Sequence, residues 1–185
     1  MDALQAYKIG FSGLAIGNHL FSFDIDKGFF ECFPQSEINL CAVHLDLKLA
    51  KESNMLVLDF LFSGWVALDC DRCLDSYREN IDQEQRLYIK FGNAYAEQSE
   101  DIVVIPYGES HIDISQFVYE FLHLGLPIQR AHQVDGDGRT ECNREMLDKM
   151  KQHAPQTKSE GTTQTGEGSA WDSLKSLQFN KEEDN

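Results

Sequence analysis

Basic residues are scarce in this chain: 16 Lys and Arg stand against 31 Asp and Glu among 185 residues, a formal net charge of −15. A surface of that sign repels phosphate backbones at long range. A protein that coats naked RNA carries a basic face, so direct binding of naked RNA is not expected and a basic protein partner suits the charge better. The plainer reading is a soluble acidic surface, and composition does not separate the two. Long apolar runs are also missing. No stretch approaches the roughly 18 residues of a transmembrane helix, so no membrane contact is expected. Residues 1–6 have neither the basic region nor the apolar block of a signal peptide. The expectation is a cytoplasmic protein with reduced thiols. Enzyme signatures are absent as well: the sequence has no Gly-rich phosphate loop, no G-x-S-x-G elbow and no HExxH pair. The chain is read as non-enzymatic.

Cysteine is limited to Cys32, Cys41, Cys70, Cys73 and Cys142. An odd number in a reducing compartment argues against a disulfide framework. Cys32 lies between aromatics and Cys41 in an apolar segment, so both are read as small core residues.

What is present is enough apolar material for a core, 42% of the residues with 12 Phe among them. Leu45, Leu47 and Leu49 alternate with Asp46 and Lys48, the period of a half-buried strand. A polar turn at 51–54 leads into the apolar run 55–68, which predicts an antiparallel hairpin, with Gly64 as a candidate bulge. Further strands are expected over 77–91 and 102–105, where Pro106 stops the run, and earlier around Leu20, Phe21, Phe23 and Ile25. Residues 112–124 read as the main helix. Ile114, Phe117, Val118, Phe121 and Leu122 share one face, Asp113 and Gln116 have capping-box spacing, and Gly125 and Pro127 end the element. A short second helix is expected within 140–152. The fold class is therefore α+β: an antiparallel sheet of about five or six strands with one main helix packed on it, and a flexible C-terminal tail. The expected boundaries are a single domain over 1–152, a polar linker over 153–169, and a short apolar motif with an acidic end over 170–185. That motif, with Trp171, Leu174 and Leu177, either docks on its own domain or binds a partner.

The chemistry centres on Cys70-Asp71-Arg72-Cys73-Leu74. A redox pair needs its first thiol at a helix N-terminus, whereas this one follows a strand and precedes another. A zinc site needs four thiolate or imidazole ligands in a tetrahedron. Cys70 and Cys73 with His132 and Cys142 downstream supply the right types. The remaining alternative is a tight turn whose cysteines simply pack at the sheet end. Arg72, between the thiols, is placed to neutralise Asp69, Asp71 or Asp75, or to meet a partner.

The order of these marks is itself informative: strand, C-x-R-C-L, acidic strand, helix, Leu126-Pro127 leading to His132, then Cys142, then Trp171-Asp172-Ser173-Leu174-Lys175-Ser176-Leu177. In that order the chain resembles the YceD family, the large ribosomal RNA subunit accumulation proteins. The resemblance implies a bacterial factor in large-subunit biogenesis that supports accumulation of 23S rRNA. Members of the family are associated with the gene for a small zinc-ribbon protein of the large subunit. The implied partners are a large ribosomal subunit precursor or a basic ribosomal protein. The competing expectation is a zinc-binding or metal-handling module built on Cys70, Cys73, His132 and Cys142.

Overall fold

The computed structural model describes residues 3–134, 136–137 and 140–154. The described residues up to Lys151 form one compact unit. From residue 155 on, the expected linker and the Trp171, Leu174 and Leu177 motif lie outside the described residues. Among the described residues no helix is long and apolar enough to cross a membrane.

After a 3-10 turn at Ala3–Tyr7, the strands are β1 (Lys8–Gly10), β2 (Gly17–Ile25), β3 (Cys41–Lys51), β4 (Met55–Asp69), β5 (Ser76–Gly92), β6 (Ala96–Ser99), β7 (Ile102–Pro106) and β8 (His111–Asp113). The helices are α1 (Lys27–Phe30), α2 (Ser115–Leu124) and α3 (Arg144–His153). Six strands form one sheet in the order β2-β3-β4-β5-β7-β6, and β1 pairs with β8 in a small ribbon.

The hairpin read from the Leu alternation is β3–β4, with Leu49 opposite Leu58 and Leu47 opposite Phe60. Leu87 of β5 continues the first row from Leu58. Leu45, Leu47, Leu49, Leu58, Phe60 and Leu87 are fully buried. Each large apolar side chain so placed contributes about 1.5–3 kcal/mol relative to exposure. The intervening residues Asp46, Lys48 and Arg86 face solvent, so the sheet is covered on one side only. The covering layer is aromatic: Phe121 of α2 meets Phe60 edge-on at 5.2 Å, and Tyr119 stacks on Phe33 at 4.4 Å. Gln83 of β5 donates a 2.9 Å hydrogen bond to the Phe121 carbonyl and ties the helix end to the sheet.

Four details depart from expectation. The sheet is mixed rather than antiparallel, because β7 runs parallel to β5. The cause is burial. Val103, Val104 and Ile105 are buried, whereas all four residues of β6 are exposed. The apolar strand takes the interior place beside β5 and the polar one takes the edge. Secondly, Gly64 is no bulge: its pairings with Val43 and Ile81 are in register. Thirdly, Asp113 and Gln116 do not make a capping box. Ile114 is the N-cap, drawn into the core where its N–H donates to the Tyr7 carbonyl at 3.0 Å. Asp113 instead accepts from the Ser115 N–H and hydroxyl, and Gln116 donates to Glu120. Fourthly, Cys32 is exposed, because Phe29 and Phe30 occupy the core beneath α1. Cys41 is buried as expected, and burial pushes its thiol up to about 12.

Candidate functional site

The turn between β4 and β5 is short, and its shape is set by hydrogen bonds at both ends. The Leu74 N–H donates to the Cys70 carbonyl at 2.9 Å, and the Cys70 N–H to the Asp75 carbonyl at 3.0 Å. Leu74 is forced to φ 63, a left-handed conformation that costs a non-glycine residue about 1–2 kcal/mol. Its side chain is 68% exposed and repays none of that through burial. Leu74→Gly is therefore expected to raise stability by about 0.5–1 kcal/mol, the relief of strain less the entropy glycine adds to the unfolded chain. A urea midpoint that rises with unchanged slope would show it; a lowered midpoint would refute it.

Asp71 fastens this turn to the segment after α2. Its N–H donates to the Arg130 carbonyl at 2.7 Å, and its carboxylate accepts from the Arg130 N–H at 2.8 Å. Arg130 in turn pairs with Glu37 at 2.6 Å. This double link delivers His132, two residues on, to the thiols. The loop beyond it carries Gly136 and Asp137 and folds back on itself, closed by an antiparallel bridge between Val134 and Thr140. The closure returns the chain to the site, and the Cys142 N–H donates to the Thr140 hydroxyl at 3.2 Å. The ten-residue spacing from His132 to Cys142, uninformative along the sequence, is thereby reduced to contact.

The four expected ligands do converge. One side-chain atom each from Cys70, Cys73, His132 and Cys142 lies within 4.8 Å of all the others. All four residues are buried, from 0% exposure at Cys70 and Cys73 to 8% at His132. Cys70 Sγ is 3.8 Å from Cys142 Sγ, and His132 Nδ1 is 3.5 Å from Cys73 Sγ and 3.6 Å from Cys142 Sγ. The edge of a tetrahedron is about 1.6 times the bond from its centre. With Zn–S about 2.3 Å and Zn–N about 2.0–2.1 Å, the edges are about 3.8 Å for two sulfurs and about 3.5 Å for sulfur and nitrogen. These three separations match. They are far longer than the roughly 2.05 Å of a disulfide, and all the cysteines are free.

The electrostatics suit a thiolate at Cys70. Burial opposes its ionisation, but hydrogen bonds from the backbone of Cys73, His132 and Arg72 and from the His132 ring outweigh it and lower the thiol to about 6. Cys142 moves the other way. The Thr140 hydroxyl favours its thiolate, while burial and the neighbouring sulfurs of Cys70 and Cys73 prevail and raise it. Apolar packing closes the site: Tyr77, Ala131, Met146 and Leu147 lie against the thiols, with the Tyr77 and His132 rings 5.3 Å apart. Met146 and Leu147 come from α3, so the second helix read from the sequence is the lid of this cluster. Such a closed set has the ligand types and enclosure of a structural zinc site and leaves no open position.

Arg72 is half-buried within the turn, and it is Asp71 rather than Arg72 that makes the cross-link. Asp71, Arg130 and Thr140 hold the segments around the cluster in place, a part that sequence reasoning missed. Only the T-x-C spacing, with a hydroxyl two residues before a thiol, carried any local signal for them. Trp171, Leu174 and Leu177 lie outside the described residues. No curated protein sequence and no solved structure matches the chain. A family model described as large ribosomal RNA subunit accumulation protein YceD matches residues 58–178. That span begins within β4 and includes the CxxC turn, α2, His132, Cys142 and the Trp171 motif, and the chain accordingly belongs to the YceD family of large ribosomal RNA subunit accumulation proteins.

Proposed function

We propose that this protein is a non-enzymatic factor in large ribosomal subunit biogenesis that supports accumulation of the subunit's rRNA through contact with a basic ribosomal protein or with the assembling particle. The family match over residues 58–178 carries the reading. The net charge of −15 supports contact through protein rather than naked RNA. In this reading the four clustered ligands hold zinc as a structural clamp that fastens the β4–β5 turn to the segment after α2, and the Trp171, Leu174 and Leu177 motif supplies a further partner contact.

The direct test is sedimentation of the tagged protein from its own cells through sucrose gradients, blotted across free, precursor and mature large-subunit fractions. Co-migration with precursor particles is expected, and deletion of residues 170–179 should weaken it. Recovery only in free fractions, at low salt as well as high, would overturn stable particle binding. Tight binding of isolated protein to naked rRNA with a steep salt dependence would overturn the protein-contact mechanism.

One observation favours a second reading. Four soft ligands within 4.8 Å of one another also suit a metal-handling module that takes up and passes on zinc. A transfer site gives up its metal while the residues around it stay ordered, whereas loss of metal from a structural clamp loosens the segments that it joins. Exchange of bound zinc with a chelator on the time scale of minutes, without loss of tertiary structure, would support transfer.

A further inference from the structure

A groove of about 1020 Å³ runs between α2 and the β7–β6 end of the sheet. Its floor and walls are apolar, with Val103, Ile105, Phe117 and Phe121 lining it. Leu124, at its end, is 74% exposed, an unusual position for a leucine beside an apolar surface. The volume is at the upper limit of compact small-molecule pockets.

The rim is acidic. Glu97, Glu100, Glu109, Asp113 and Glu120 all line the groove, and no Lys or Arg does. Among the described residues none of these five carboxylates is in an ion pair with a cationic side chain. Their hydrogen bonds are to neutral groups instead: Glu97 accepts from Tyr95, Glu120 from Gln116, and Asp113 from Ser115. Five uncompensated negative charges around an apolar trough focus a negative potential over it. Anionic ligands, RNA and fatty acids are repelled by such a rim.

One more feature points to polypeptide. β6 is the last strand of the sheet and pairs on one side only, with β7. Its outer edge therefore offers backbone donors and acceptors to an added segment, and Glu97 and Ser99 of that strand line the groove.

We propose that the α2–β6 groove binds a Lys/Arg-rich polypeptide segment of a partner protein, with an apolar side chain of that segment seated between α2 and β7 and its cations on the carboxylate rim. This deepens the assembly reading above and rests on it, since a basic large-subunit protein is the partner class named there.

The test uses the full chain and fluorescence anisotropy with short basic peptides tiling the large-subunit proteins of its own cell. At least one peptide with an apolar residue among its cations should bind. The rim variant Glu97→Lys/Glu120→Lys should weaken it by about tenfold or more, and Leu124→Ser, which removes apolar surface without a change of charge, should weaken it too. Asp82→Lys/Glu84→Lys carries the same change in net charge on the opposite face of β5 and should change affinity by less than about twofold. Equal weakening by both charge-reversal variants would reduce the effect to bulk charge and overturn the groove; so would the absence of any binding peptide. The gradient assay separates the two levels. No peptide binding with wild-type protein still on precursor particles sinks the groove alone, whereas groove binding with no precursor association sinks the assembly reading.

Discussion

Cys70→Ser/Cys73→Ser is expected to abolish a stoichiometry of one zinc per chain and to loosen one end of the molecule while the sheet persists. The buried residues Cys70, Cys73 and Cys142 form a cluster of their own beside the large core, with Tyr77 packed against both. Metal binding therefore stabilises a fold that already has an independent source of stability, unlike a small zinc finger. At free zinc a thousandfold above its dissociation constant, ligand linkage contributes about 4 kcal/mol. For a chain of this size each kcal/mol moves Tm by about 2–4 °C, so chelation or the double serine variant should lower Tm by about 8–16 °C. Hydrogen exchange should show residues 70–75 and 131–142 deprotected, with β3, β4 and the Leu87 end of β5 still slow. Elemental analysis of protein purified under reducing conditions is the first check. Metal-free protein with the wild-type Tm, or a serine variant that keeps its zinc, would refute the site.

Gly64→Ala is expected to destabilise the protein by about 3 kcal/mol or more, although it adds a single methyl group. Gly64 sits at φ +145, a region L side chains rarely adopt, and strain of this kind costs about 1–3 kcal/mol. A Cβ there would lie 2.2 Å from the Ala42 carbonyl oxygen and 2.8 Å from Val43 Cα. Both belong to β3, which pairs with β4 over its whole length and with β2 from Val43 onward, so the backbone that blocks the methyl is held in register beside it. The expected signature is a Tm lowered by roughly 6–12 °C or more, with zinc content unaffected because none of the four ligands lies on β4 or β3 beside Gly64. A variant within about 1 °C of wild type would show that β3 yields more easily than its pairing implies.

The readings that held rest on local periodicity. Leu45, Leu47 and Leu49 all face the core of β3, and Val118, Phe121 and Leu122 form the buried stripe of α2, because spacings of two and of three to four report burial whatever the neighbour is. Burial is one-sided, and that too was written in the charges between the leucines. The parallel pairing of β5 with β7 was not. A hairpin pattern looks the same whether its second strand lies outside or inside the first, and the choice was made by competition between Ile102–Pro106 and Ala96–Ser99 for one interior place. Gly64 was misread for a related reason: a glycine within a strand pattern marks either a bulge or a close approach, and only the position of Ala42 decides between them.

The candidate site divides along the same line. Residue type and order alone determined that this chain carries four residues of types suited to zinc and an excess of acid. Tertiary structure decided whether those ligands meet. Asp71 grips the Arg130 backbone across the sheet end, and Val134 pairs with Thr140 to close the loop between His132 and Cys142. Neither contact has a sequence period, because each joins segments whose separation along the chain bears no relation to their separation in space. The acidic groove is of the same kind. Glu97 and Glu120 are ordinary surface residues of a strand and a helix, and they face a common trough because β7 takes the inner place and leaves β6 at the edge.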